Sequence, residues 1–301
     1  MKILIINIDS KIPNLALAKI EMFHRNNGNE IIKDIPLMQN SVDKIYVSCI
    51  FTKNYLHAKN YEGIANIGGS GYDLKIKLPD EIENLKPKIN LGFASRGCIR
   101  RCPFCIVPEK EGKIRAVADL YDIWDGHSKL VTLLDNNIMA LPEHFRLICQ
   151  QAQKENITLD FNQGLDIRLL SSESAELISK TKLKRIRFAL DYPELIPICR
   201  DKIELLRNYL RNAEPVFYVL VGYNTTIEQD LMRLEFLKSM NCRAYVMQHE
   251  NSYGSKIHMR MRQWANMFWS FMKYDFKEFI YVKDNEYIKF DRQTENLFNV
   301  F

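Results

Sequence analysis

The sequence has no apolar run near the ~20 residues that a membrane-spanning helix needs. Its opening, MKILIINIDS, sets one lysine before a short apolar run, but no small-residue cleavage site follows. The run ends at Asp9 as a buried strand would, and a cytoplasmic protein is expected. Internal repeats and low-complexity tracts are absent, which sets aside solenoids and biased linkers. An excess of one charge is lacking too. Lys and Arg number 42 against 37 Asp and Glu, and a net charge of +5 permits a polyanionic partner without demanding one. Cysteines number seven, and Cys49, Cys149, Cys199 and Cys242 lie far apart, mostly in apolar stretches, and read as small core residues. Disulfides are not expected in a reducing compartment. What is present is the composition of a soluble globular chain, 47% hydrophobic and 26% charged, with room in 301 residues for one large domain or two ordinary ones.

The pattern along the chain alternates between the periods of strand and helix. KILIINI reads as a strand covered on both faces, and NLALAKIEMFHRNNG as a helix closed by Gly28. NEIIKDI, DKIYVSCIF and IANIGGSG are further strands, the last running into a glycine turn. Residues 78 to 88, LPDEIENLKPK, are polar with two prolines and read as a linker. Six strand candidates follow: INLGFAS, LVTLLD, ITLDFN, RIRFALD, PVFYVLVG and CRAYVMQ, with helical patterns between most of them. This spacing predicts βαβ units, a parallel sheet and right-handed crossovers. The expected fold is α/β: a small doubly wound parallel sheet over residues 1–85, a partial (β/α)6 barrel over 86–255, and a basic aromatic helical tail over 256–301.

Three cysteines, Cys98, Cys102 and Cys105, crowd into SRGCIRRCPFCIVPEKEGKIR. Their C-x3-C-x2-C spacing is too tight for disulfides among themselves. A zinc site would ordinarily add a fourth Cys or His. Here the nearest histidine, His127, lies 22 residues beyond Cys105, and no second C-x2-C exists. Three thiolates on one loop can instead hold three irons of a [4Fe–4S] cluster and leave the fourth iron open.

This motif resembles that of the radical S-adenosylmethionine (SAM) superfamily. The resemblance implies that Cys98, Cys102 and Cys105 bind the cluster, that SAM occupies the fourth iron, and that Phe104 packs near the adenine. It also implies a small electron donor such as flavodoxin or ferredoxin. Further cofactor contacts carry over by position: Asp135, Asn136 and Asn137 toward the SAM amino group, and Arg168 toward its carboxylate, with Asn162, Gln163 and Asp166 on the same segment. Asp191 stands where the family places a ribose ligand, and Gly222 in a segment similar to its adenine contact.

The N-terminal unit resembles the cobalamin-binding domain of one branch of that superfamily. Gly68, Gly69 and Gly71 then match the loop that lines the corrin's nucleotide tail, although no Asp-x-His-x-x-Gly signature follows the first strand. The function implied is reductive cleavage of SAM, in a cobalamin-type methyltransferase or a rearranging enzyme of unassigned substrate. CPFCIVPEKEGKIR is also similar to the methylthiotransferases that modify tRNA and ribosomal protein, which would place Arg100, Arg101 and Arg115 near an anionic cofactor or substrate. Those enzymes carry three more upstream cysteines, where this chain has Cys49 alone. A third reading is a nucleic-acid-binding module built on Arg260, Arg262, Trp264, Trp269 and Lys273, set against a plain amphipathic helix packed on the barrel.

Overall fold

The computed structural model describes residues 1–279 and falls into two compact units, Met1–Leu165 with Glu173–Lys184, and Asp166–Ser172 with the chain from Arg185 onward. Both are mixed α/β with parallel sheets. Among the described residues, no helix is long and apolar enough to cross a membrane. The part of the expected tail beyond residue 279 lies outside the described residues.

The first unit begins with strands β1 (Lys2–Asn7), β2 (Glu30–Lys33), β3 (Lys44–Ser48) and β4 (Asn66–Gly68), in the parallel order β2-β1-β3-β4. The continuous apolar run of β1 is explained by its two cores. Leu4 and Ile6 pack with Ile45, Val47 and Ile67 on one face, while Ile3 and Ile5 pack with Leu17, Ile20 and Tyr46 on the other. Leu17 and Ile20 come from the helix Leu15–Asn26, which Asn14 caps by accepting from the Leu17 N–H. The stretch read as a linker instead carries a short helix, Asp80–Glu83, whose Ile82 is buried in the second of these cores.

Strands β5 (Leu91–Gly92), β8 (Leu130–Leu133) and β9 (Thr158–Phe161) form a second parallel sheet, ordered β5-β8-β9. Between the first two of them, β6 (Ser95–Arg96) and β7 (Arg115–Ala116) pair antiparallel and pinch off the cysteine loop. INLGFAS is therefore not one strand. Only Leu91 and Gly92 join the parallel sheet, and the chain then turns away to make the neck of the loop.

In the second unit, β10 (Arg187–Ala189), β11 (Val216–Val221) and β12 (Arg243–Gln248) run parallel in sequence order. The outer edge of β12 is covered rather than left open. Asn266, at the end of the helix Lys256–Asn266, accepts from the Val246 N–H at 2.6 Å and donates to the Val246 carbonyl at 3.3 Å. The helix buries Met261, Trp264 and Ala265, and the following helix Phe268–Lys273 buries Phe271. The described part of the tail is thus amphipathic and packed on its own sheet.

Candidate functional site

The cysteine loop is closed by bonds that start with its glycines. Gly97 has φ +86°, and a Cβ there would overlap the backbone of Gly112 and Lys113. The absence of that Cβ lets the two ends of the loop touch, and the Cys98 N–H donates to the Gly112 carbonyl at 3.3 Å. Glu111 completes the neck. Its Oε2 accepts from the Gly97 N–H at 2.9 Å and from Asn136 Nδ2 at 2.9 Å, and it pairs with Arg96 at 3.3 Å. Arg96 is held flat by stacking over Phe93, 4.1 Å from the ring centre.

Inside the neck, the Cys105 N–H donates to the Cys102 carbonyl at 2.9 Å, a tight turn that carries Phe104 half-buried just before the third cysteine. Two donors converge on the first sulfur. The Arg100 N–H is 3.3 Å from Cys98 Sγ, and Asn137 Nδ2 is 3.5 Å from it. Such N–H···S bonds tune a metal bound to the sulfur. The three thiols of the loop are half-buried, and none of the seven cysteines is in a disulfide. Burial pushes the thiols of Cys149, Cys199 and Cys242 up to about 12 and raises that of Cys49, which suits these four as core residues and not as ligands.

Among the described residues, no three Cys, His, Asp or Glu side chains are gathered closely enough to hold a metal ion as they stand. The donor set fits three corners of a cubane: three free thiols on one loop, with amide donors aimed at one of them.

Asp135 sits just beyond the carboxyl end of β8 and is 2% exposed. Its carboxylate accepts from the Ala94 N–H at 3.1 Å, from the Ser95 hydroxyl at 2.6 Å and from the Ser95 N–H. Burial raises it to about 6, while these donors and the nearby His144 act the other way. Its oxygens are thus directed at the segment that enters the loop. His144 reinforces the same point: Nε2 lies 3.0 Å from the Ala94 carbonyl and 3.1 Å from that of Ala118, and since carbonyls only accept, Nε2 carries the proton. Asn136 is likewise engaged by Glu111, and Asn137 is buried against Cys98. Gln163 is exposed on the turn after β9. Glu111, His144, Ser95 and Lys110 are missing from the sequence-based set. Their partners stand 14 to 50 residues away, and no local pattern marks such pairs.

The remaining expected contacts lie in the second unit. Arg168 spends its planar fork on Asp166, with Nε to Oδ1 at 2.6 Å and Nη2 to Oδ2 at 3.0 Å. Asp191 accepts from the Leu220 N–H at 3.2 Å; burial raises its pKa, while that bond and the charges of Arg233 and Arg168 oppose the rise. Gly222, at φ +75°, is fixed by contact: a Cβ would overlap the Ser252 side chain. Its N–H donates at 2.9 Å to Asp230, whose carboxylate also takes the Thr225 hydroxyl at 2.6 Å, His258 Nε2 at 3.2 Å and the Arg233 guanidinium. Trp264 is fully buried and donates its indole N–H to the Tyr274 carbonyl, so it offers no face for stacking a base.

The expected corrin contacts Gly68, Gly69 and Gly71 lie at the end of β4, on the carboxyl edge of the N-terminal sheet. In a sheet ordered β2-β1-β3-β4, the crevice lies between β1 and β3, where the winding reverses. Asp9, just past β1, bridges it to the chain after β3, accepting from the Ile50 N–H at 2.8 Å, the Phe51 N–H at 2.9 Å and Asn54 Nδ2 at 3.0 Å. The glycine turn also closes on the chain itself. Cys49 donates to the Gly68 carbonyl at 2.9 Å and Gly71 donates to the Cys49 carbonyl at 3.0 Å, and a Cβ on Gly69 would overlap that carbonyl. No model of a known protein family matches this chain.

Proposed function

We propose that the chain is a radical SAM enzyme, with a [4Fe–4S] cluster on Cys98, Cys102 and Cys105 and SAM at the open iron. The observation that carries this reading is the loop itself: three reduced thiols at C-x3-C-x2-C spacing, closed by Glu111 and Gly97, with two N–H donors on the first sulfur. When bound, the pair supplies one-electron cleavage of the SAM sulfonium to methionine and a 5′-deoxyadenosyl radical.

The chain's own residues orient and shield. Asp135 and His144 hold Ala94 and Ser95 from two sides, so the loop leaves the sheet at a fixed angle. Glu111 fixes the amide that precedes Cys98, and Asn137 fixes the sulfur that follows. The parallel sheet β5-β8-β9 carries Asp135 just past the carboxyl end of β8, the end at which barrel folds collect functional groups. Anaerobic reconstitution with iron and sulfide tests the proposal. A brown protein whose reduced spectrum changes on adding SAM is expected; a colourless protein that retains one zinc per chain would overturn it.

A further inference from the structure

The glycine turn of the N-terminal sheet has a partner that its own fold does not explain. Gly68 to Gly71 are held by Cys49, and the Tyr72 and Asp73 N–H groups both donate to the Gly69 carbonyl at 3.1 Å. The one side chain within the turn, Ser70, receives the ammonium of Lys110. Lys110 ends the short helix Val107–Lys110 in the cysteine loop, 40 residues further along the chain. The next residue, Glu111, holds the Gly97 N–H at 2.9 Å. Adjacent residues thus hold different partners: one pegs the loop to the glycine turn, the other grips the amide that precedes Cys98. Burial and the charge of Arg96 lower the pKa of Lys110, while Glu111 and Glu83 oppose that shift.

We propose that the glycine turn is the seat of the cysteine loop, with Lys110 the positioning residue that joins them. The crevice beside the turn, bridged by Asp9, then takes no corrin. The seat itself does not depend on the iron–sulfur reading; its consequence for a bound cluster rests on it.

Hydrogen exchange on the metal-free protein tests the seat. Lys110→Met keeps the aliphatic stem and removes the ammonium, and the Gly97 and Cys98 amides should exchange roughly tenfold faster, the loss of one charge-assisted bond. Lys110→Arg should restore most of the protection. Ser70→Ala, which removes only the acceptor, should accelerate the same two amides and serves if the Met variant folds poorly. In reconstituted protein, the Met variant should have a more negative cluster potential, because a positive charge has left the loop, and the Arg variant should return it. Wild-type exchange rates in both the Met and the Ala variants overturn the seat, and an unshifted potential overturns the role of Lys110 toward the cluster. Corrin absorbance retained by the wild type after desalting from hydroxocobalamin overturns the closed crevice. A wild type that binds no iron ends the proposed function, while the exchange rates still decide the seat.

Discussion

Replacing Arg233 by methionine should be among the most damaging single changes in the second unit. Arg233 and Asp230 are both fully buried, one turn apart on the helix Ile227–Ser239. Arg233 donates to the Leu190 carbonyl at 2.9 Å, to the Leu220 carbonyl at 2.9 Å and to Asp230. It therefore ties the helix to the carboxyl ends of β10 and β11, beside Asp191 and Gly222. Methionine would fill much of the volume and leave the Asp230 carboxylate buried without its countercharge. Breaking one partner of a buried pair costs about 3–5 kcal/mol. Against a typical stability of about 5–15 kcal/mol, that is a large fraction. With a urea slope of about 2–3 kcal/mol/M, the midpoint should fall by about 1.5 M. Trp264, buried in this unit, supplies the fluorescence signal. Asp230→Asn on top of Arg233→Met should cost less than the two single changes added, since the stranded charge is gone. As a surface control, Arg243→Met removes a bridge to Glu214 whose side chains are 34% and 42% exposed, and should cost under about 1 kcal/mol. An Arg233→Met shift no larger than that control would refute the reasoning.

Asp135 should leave a signature in the pH dependence of stability. Its folded value of about 6 stands above the ordinary 3.8, so between those values the folded chain holds a proton that the unfolded chain has lost. Stability from this group is therefore full below pH ~4, falls as pH rises through ~6, and is flat above; at about 1.36 kcal/mol per pH unit the drop is about 3 kcal/mol. Urea titrations from pH 4 to 7 should show this slope in the wild type and lose it in Asp135→Asn, and identical slopes would count against it. Gly222→Ala should destabilise the second unit by several kcal/mol, on the order of a strained φ plus a core overlap, and Ser252→Gly should recover part of it. Full stability in the single alanine variant would show that the turn relaxes freely.

Local periodicity made the strands legible. Ile3 to Ile6 announce a strand with two covered faces, and both cores are there. Phe217, Val219 and Val221, at period two, mark the buried face of β11. The helix Ile227–Ser239 opens on a capping box of Thr226 and Gln229, a feature of the folded chain. The linker was misread because a helix as short as Asp80–Glu83 has no period, and only the burial of Ile82 betrays its packing. INLGFAS was overextended because nothing in its composition shows that Ser95 and Arg96 leave the sheet to pair with Arg115 and Ala116. The cysteines were legible because their spacing is short and their chemistry rare. The residues that hold them in place were not. Asp135, Glu111, His144 and Lys110 act across 14 to 50 residues of sequence, where register alone brings them together. Asp230 and Arg233 look in sequence like an exposed helical pair; the packing of their helix makes them a buried network.

The central claim is that Cys98, Cys102 and Cys105 hold a cluster that cleaves SAM. Its most direct measurement is iron content together with 5′-deoxyadenosine after anaerobic reconstitution, addition of SAM and reduction with dithionite. The account predicts about four irons per chain and 5′-deoxyadenosine in the wild type, with both lost in the Cys98→Ala, Cys102→Ala and Cys105→Ala variants. Wild-type protein that forms no 5′-deoxyadenosine, or a triple variant that still does, would contradict it.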